Sequence, residues 1–170
     1  TINSTNLLTI GDGAFEGCST IDAIVIPSTV TSIGDGAFDG CSDLASVTLP
    51  TDPAFVTIGD DMFKGNVSLT SITIPDSITT LGSGSFQDCN SLSTITFPSS
   101  SNITSIDSNC FNGCASITSI TLPNSITSIG EYCFFDCSGL TSITLPTGIT
   151  TLPNFCFSNC IALTSISIPT

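Results

Sequence analysis

The residues of this chain best able to do chemistry are its cysteines. There are nine of them among 170 residues, and their spacing is regular. Cys18, Cys41, Cys89, Cys114, Cys137 and Cys160 each follow a phenylalanine by three positions, while Cys110, Cys133 and Cys156 each precede one directly. The C-terminal third therefore holds three Cys-Phe-x-x-Cys groups. Zinc sites are built from Cys-x-x-Cys pairs, commonly with histidine, and this spacing differs while histidine is absent from the chain. A catalytic thiol needs a neighbouring base, and none is on offer. Two states fit the sequence. Buried free cysteine behaves as a small hydrophobe. Alternatively, strands stacked about 4.8 Å apart bring Cα atoms into disulfide range, which makes Cys110, Cys114, Cys133, Cys137, Cys156 and Cys160 candidates for bridges. Nine is odd, so at least one thiol stays unpaired within a single chain.

The other reactive side chains are carboxylates. Fourteen acids face one basic residue, Lys64, for a net charge of −13. Phosphate recognition needs Lys and Arg clusters, so nucleic acid is excluded as a partner, and an anionic membrane surface is disfavoured on the same ground. With no histidine, no arginine and one tyrosine, most proton-transfer and oxyanion chemistry lacks its parts. Carboxylates alone can cleave glycosides when a pair converges on a cleft, but these acids are spread over loop positions. The chain reads as a non-enzyme that needs no cofactor. No apolar run nears the roughly 20 residues of a membrane span, so no membrane insertion is expected. No charged-then-apolar leader opens the sequence. It starts in mid-repeat, as an excised or mature segment would.

What positions all these residues is a repeat. Phe15, Phe38, Phe63, Phe86, Phe111, Phe134 and Phe157 recur every 23 or 25 residues. Six after each lies Ile21, Leu44, Leu69, Leu92, Ile117, Leu140 or Leu163. At nine and eleven after come further aliphatic columns, with Phe97 the single aromatic, and a proline follows every time. Five before each phenylalanine is Ile or Leu, from Ile10 to Leu152. Leu140-Thr141-Ser142-Ile143-Thr144-Leu145-Pro146 shows the strand most plainly: Ile143 and Leu145 point one way, Ser142 and Thr144 the other. No such strand buries its apolar side alone, and a fixed period in the twenties predicts a solenoid whose turns bury their columns on each other.

The segments Ile33-Gly34-Asp35-Gly36-Ala37-Phe38-Asp39-Gly40-Cys41 and Leu140 to Pro146 follow the pattern I-G-x-x-A-F-x-x-C-x-x-L-x-x-I-x-L-P. The chain thus resembles the BspA-like type of leucine-rich repeat over essentially all of residues 1–170. That resemblance implies one solenoid domain of about seven turns. It would be a right-handed superhelix with a parallel β-sheet on one face and short helical or 3₁₀ turns on the other. It also implies an extracellular or cell-surface protein that works in adhesion, with a protein or glycan ligand.

The strand face is nearly all hydroxyl. Eight after each phenylalanine come Ala23, Ser46, Ser71, Thr94, Ser119, Ser142 and Ser165, and ten after come Val25, Thr48, Thr73, Thr96, Thr121, Thr144 and Ser167. This face is either plain packing surface, since Thr suits strands anyway, or a binding face. Without aromatic or Arg anchors, it suits weak, multivalent adhesion better than tight binding. A flat threonine ladder also resembles ice-binding surfaces. The position three before each phenylalanine holds Asp12, Asp35, Asp60, Ser83, Ser108, Glu131 and Asn154, nearly all N-cap types, so a short helical turn is expected there. A calcium ladder is the alternative, broken at Ser83 and Ser108. Asn3, Asn66 and Asn102 begin N-glycosylation sequons, though Asn66 shares the cysteine column. Insertions at 51–54 and 99–102 should lengthen loops and leave the core register intact. Neither end carries an atypical capping turn, so Leu7, Ile10, Ile166 and Ile168 are expected at open ends. Those ends would allow head-to-tail assembly into a homo-oligomer, unless the segment comes from a longer repeat array.

Overall fold

A β-branched run that stops at proline forms a short strand and no more, and the chain consists of such strands. The computed structural model describes residue 2 and residues 6–168. Each turn contributes two strands except the last, which contributes one. They are β1 (Thr9–Ile10), β2 (Ala23–Val25), β3 (Ser32–Ile33), β4 (Ser46–Thr48), β5 (Thr57–Ile58), β6 (Ser71–Thr73) and β7 (Thr80–Leu81). There follow β8 (Thr94–Thr96), β9 (Ser105–Ile106), β10 (Ser119–Thr121), β11 (Ser128–Ile129), β12 (Ser142–Thr144) and β13 (Ser165–Ser167). All pairing is parallel, between one turn and the next, as in a solenoid.

The three-residue strands carry the expected sheet. Ile120 pairs with Ile143 and Ile143 with Ile166, while Ser119, Ser142 and Ser165 align beside them. The two-residue strands make a second parallel line, β5 to β7 to β9 to β11, on another side of the turn. Periodicity marked only an apolar column there. A further column eight before each phenylalanine, Val30, Phe55, Ile78, Ile103 and Ile126, is almost fully buried and closes the core on that side.

The core phenylalanines form one ladder from Phe15 to Phe157. Ring centroids lie 5.2 Å apart for Phe15 and Phe38 and 5.7 Å apart for Phe63 and Phe86, with rings close to parallel. The ladder runs through both insertions, at 5.5 Å for Phe38 and Phe63 and 5.6 Å for Phe86 and Phe111. Core register is intact there, as expected. The three-residue strands are less tolerant: pairing stops between β4 and β6 and between β8 and β10, next to each insertion.

The helical turn does not form. Among the described residues no helix is present, and the reason lies two residues either side of each core phenylalanine. Gly13 and Gly17, Gly36 and Gly40, Asp61 and Gly65, Gly84 and Asp88, Asn109 and Gly113 all have positive φ. Two left-handed residues per turn prevent the run of like φ,ψ angles that a helix needs. They send alternate N–H groups along the stack instead. Gly13, Phe15 and Gly17 donate to the carbonyls of Asp35, Ala37 and Asp39 at 2.9, 2.8 and 2.7 Å.

These faces predict opposite mutational responses. Phe111, fully buried between Phe86 and Phe134, should lose about 3–5 kcal/mol of stability on change to Ala, the range for a truncated core aromatic. Thr121→Ala on the exposed side of β10 should stay within about 0.5 kcal/mol of wild type. Denaturant melts of both variants check this, and equal losses would mean that the faces are assigned wrongly.

Candidate functional site

The hydroxyl face is built by alternation. The central residue of each three-residue strand points into the core, so its neighbours must point out. Ser46, Thr48, Ser71, Thr73, Thr94, Thr96, Ser119, Thr121, Ser142, Thr144, Ser165 and Ser167 are all exposed. Ser71 stands beside Thr94, Thr73 beside Thr96, and Thr121 beside Thr144 across parallel pairs. Among the described residues, none of these hydroxyls bonds to another protein group.

One position earlier, three hydroxyls are used by the fold. Ser93, Thr141 and Thr164 donate to the carbonyls of Thr70, Thr118 and Thr141 in the preceding turn, at 3.3, 3.0 and 3.1 Å. Thr31, Thr79 and Thr127 do the same for Leu8, Val56 and Thr104. Sequence alternation separates in from out, and it carries no mark of which hydroxyls reach back along the stack.

The cysteine column has a defined task. Each thiol in it after Cys18 donates to the carbonyl of the core phenylalanine one turn back: Cys41 to Phe15, Cys89 to Phe63, Cys114 to Phe86, Cys137 to Phe111 and Cys160 to Phe134, at 3.0–3.2 Å. All nine cysteines are free, which is the buried-thiol state of the two that the sequence allows for Cys110, Cys114, Cys133, Cys137, Cys156 and Cys160. The main-column thiols are committed to carbonyls. Those of the second column fill a core position that earlier turns give to Ala37, Met62 and Ser85, with Cys110 bonded to Ser85 at 3.2 Å. Burial holds these thiols protonated, pushing Cys89 and Cys156 up to about 12 and Cys114 and Cys133 well above the usual range.

Asn66 replaces cysteine in one turn and keeps the bond. Its Nδ2 donates to Phe38 O at 3.0 Å. Asn66 is fully buried, which corrects its reading as a glycan acceptor, because the nitrogen a glycan would need is bonded in the core. Asn102 is exposed. Asn3 lies outside the described residues.

The aspartate column caps across turns, which corrects the N-cap expectation. Oδ1 of Asp12 accepts from the N–H of Asp35 at 3.1 Å, Asp35 from Asp60 at 2.9 Å, and Asp60 from Ser83 at 2.7 Å. The carboxylates therefore lie over the glycines of the next turn. A Cβ at Gly59 would stand 2.5 Å from Asp35 Oδ1, and one at Gly82 2.6 Å from Asp60 Oδ1. Among the described residues no three acids or thiols converge as metal ligands would.

Of the residues expected at open ends, Leu7 is half-buried and Ile10 buried, with Ile2 and Leu7 packed against the core beside it. Ile166 and Ile168 are 37% and 62% exposed. Among the described residues no helix is long and apolar enough to cross a membrane.

The sequence profile of a family described as BspA type leucine-rich repeat region matches this chain in six copies, over residues 8–112 and 56–170. No curated protein matches it. Among solved structures, a leucine-rich repeat protein from Bacteroides ovatus is 31% identical with a TM-score of 0.68, over 89% of this chain and 44% of its own. A leucine-rich cell surface protein from Faecalibacterium prausnitzii is 30% identical with a TM-score of 0.71, over 95% of this chain and 51% of its own. The leucine-rich repeat protein of T. pallidum is 30% identical with a TM-score of 0.62, over 98% and 65%. This chain spans about half the length of the first two.

Two outcomes test the polar column. Asn66 leaves Oδ1 buried without a partner, whereas a thiol there would donate and leave nothing unpaired. Asn66→Cys should therefore raise stability by about 1 kcal/mol in denaturant melts. Alkali should act the other way. As pH rises above the ordinary thiol value of 9.0, the unfolded chain releases protons that the folded chain retains until about 12 at Cys89 and Cys156. Unfolding then gains at the expense of the native state. Stability attributable to the thiols should be level below pH 9 and fall steadily toward pH 12 in melts across that window.

Proposed function

Given that this chain belongs to the BspA-type leucine-rich repeat family, we propose that it acts as a non-enzymatic binding module, secreted or displayed at a cell surface, that adheres to protein or glycan through its Ser/Thr face. One observation carries the reading: the outward hydroxyls of β4, β6, β8, β10, β12 and β13 are aligned, exposed and unused by the fold. Hydroxyls that both donate and accept, repeated at turn spacing, suit many weak contacts that add through multivalency. The low basic content suits a setting where trypsin-like proteases act, since Lys64 is the one site they can use. The F. prausnitzii relative, called a cell surface protein, supports the location.

Beads coated with the protein should be retained under flow on a surface of immobilised mucin. A fourfold variant, Thr73→Lys, Thr96→Lys, Thr121→Lys and Thr144→Lys, should be retained several-fold less while melting as wild type does. Equal retention of the two would rule out the hydroxyl face.

A second reading rests on the β13 side. Leu152, Ile161, Ile166 and Ile168 are 45%, 85%, 37% and 62% exposed, and another turn seated there would bury them at about 25 cal/mol per Å². A second copy of the chain would supply that turn and extend the stack. Light scattering should then grow with concentration and Ile168→Asp should stop the growth; a wild-type chain that remains monomeric excludes this assembly.

A further inference from the structure

Three aromatic rings stand on the turn side of the stack, away from the hydroxyl face, at positions where the other turns are polar or glycine. Tyr132 and Phe155 each lie two before a core phenylalanine, the place filled elsewhere by Gly13, Gly36, Asp61, Gly84 and Asn109. Phe135 lies one after, where Glu16, Asp39, Lys64, Gln87, Asn112 and Ser158 stand in the other turns. Tyr132 stacks on Phe155 with centroids 4.9 Å apart and meets Phe135 edge-on at 5.6 Å. Phe155 is 57% exposed, and the other two rings are half-buried.

The fold does not ask for these rings. Core packing in the same turns is supplied by Phe134 and Phe157, stacked at 5.5 Å. The backbone is left-handed at Tyr132 and Phe155, with φ of 57° and 56°. Glycine, asparagine and aspartate enter that region readily, and a bulky side chain does so at a cost. An outlier held at a surface position, where simpler residues serve every earlier turn, points to a role outside folding.

The surroundings specify the ligand. Glu131 and Asp136 are exposed and adjoin Tyr132 and Phe135 in sequence, and Glu131 Oε1 accepts from Asn154 Nδ2 at 2.8 Å. The chain has no arginine, and Lys64 is held by Asp61 at 3.4 Å, three steps away along the phenylalanine ladder. Among the described residues no cationic side chain stands at the rings. The exposed Phe155 ring, backed by Tyr132 and with Glu131 and Asp136 in the adjoining turn, on a chain of net charge −13, complements a planar cation that stacks and forms ion pairs together. We infer that Tyr132, Phe135 and Phe155 are a docking site for an arginine side chain of a basic segment on a partner protein, with Glu131 and Asp136 accepting its N–H groups. The inference deepens the binding-module reading and adds an anchor of the kind that the hydroxyl face lacks.

Tyr132 is the one tyrosine and there is no tryptophan, so intrinsic emission reports this site alone. Titration with a hexa-arginine peptide should change that emission saturably, and added salt should weaken the effect. Phe135→Ser with Phe155→Asn preserves the reporter and the net charge. Both residues suit their backbone, since Ser158 and Asn109 occupy the equivalent positions. This double variant should melt as a folded chain and bind hexa-arginine about tenfold more weakly. Equal affinity in the variant would reduce the effect to overall charge and overturn the site. Saturation by maltohexaose in place of hexa-arginine would make the rings a sugar platform, and no saturable change with hexa-arginine would also overturn the proposal. Retention on mucin by the Ser/Thr face is measured independently, so either reading can fail while the other stands.

Discussion

Everything in this molecule depends on one carbonyl, that of the core phenylalanine. Phe15 O accepts from the N–H of Cys18 in its own turn at 3.0 Å and from the thiol of Cys41 in the next at 3.1 Å. Phe63, Phe86, Phe111 and Phe134 repeat the arrangement. A buried carbonyl with both lone pairs occupied has no reason to leave the core. The bond ties each turn to its neighbour at the point where the rings stack. Cysteine is the economical donor there, small and otherwise apolar, and asparagine serves once at Asn66 while leaving its own oxygen unpaired.

Around that bond, most of the turn is organised by contacts to the next turn. The left-handed residues flanking each phenylalanine aim N–H groups along the stack, the aspartate column accepts across turns, and Thr and Ser beside the strands donate backward. Cohesion therefore runs along the solenoid axis, as expected where each repeat is too small to bury its own core. The design tolerates local irregularity. Two extra residues in a loop interrupt strand pairing next to the insertion, while the phenylalanine ladder passes straight through.

The two proposed interaction faces lie on different sides of this stack and differ in chemistry. The strand side offers aligned hydroxyls, uncharged and without anchors, which suits contacts that are weak singly and add by number. The turn side near Tyr132 offers aromatic faces between carboxylates, which suits a single cationic anchor. Both lie on a strongly acidic chain, where positively charged partners are attracted over distances of about a Debye length and anionic ones repelled.

Much of the fold is legible from residue order alone. The phenylalanine, aliphatic and proline columns determine the period, the strand, its buried and exposed sides, and the turn-by-turn stacking, because each apolar column can be satisfied only by its own copies. Local sequence also places Ser119 and Thr121 outside and Ile120 inside, since side-chain alternation is a property of the strand itself. What residue order could not decide is how polar groups share their hydrogen bonds between turns. Asp12 looks like a helix cap and is an acceptor for the next turn, and Cys110, which the sequence leaves open between a bridge and a buried thiol, is a packing atom beside Ser85. Asn66 looks like a glycan site and is a buried donor. Tyr132 and Phe155 stand 23 residues apart and become neighbours only once the turns stack. Those outcomes depend on the distance and direction between adjacent turns, which exist only in the assembled solenoid.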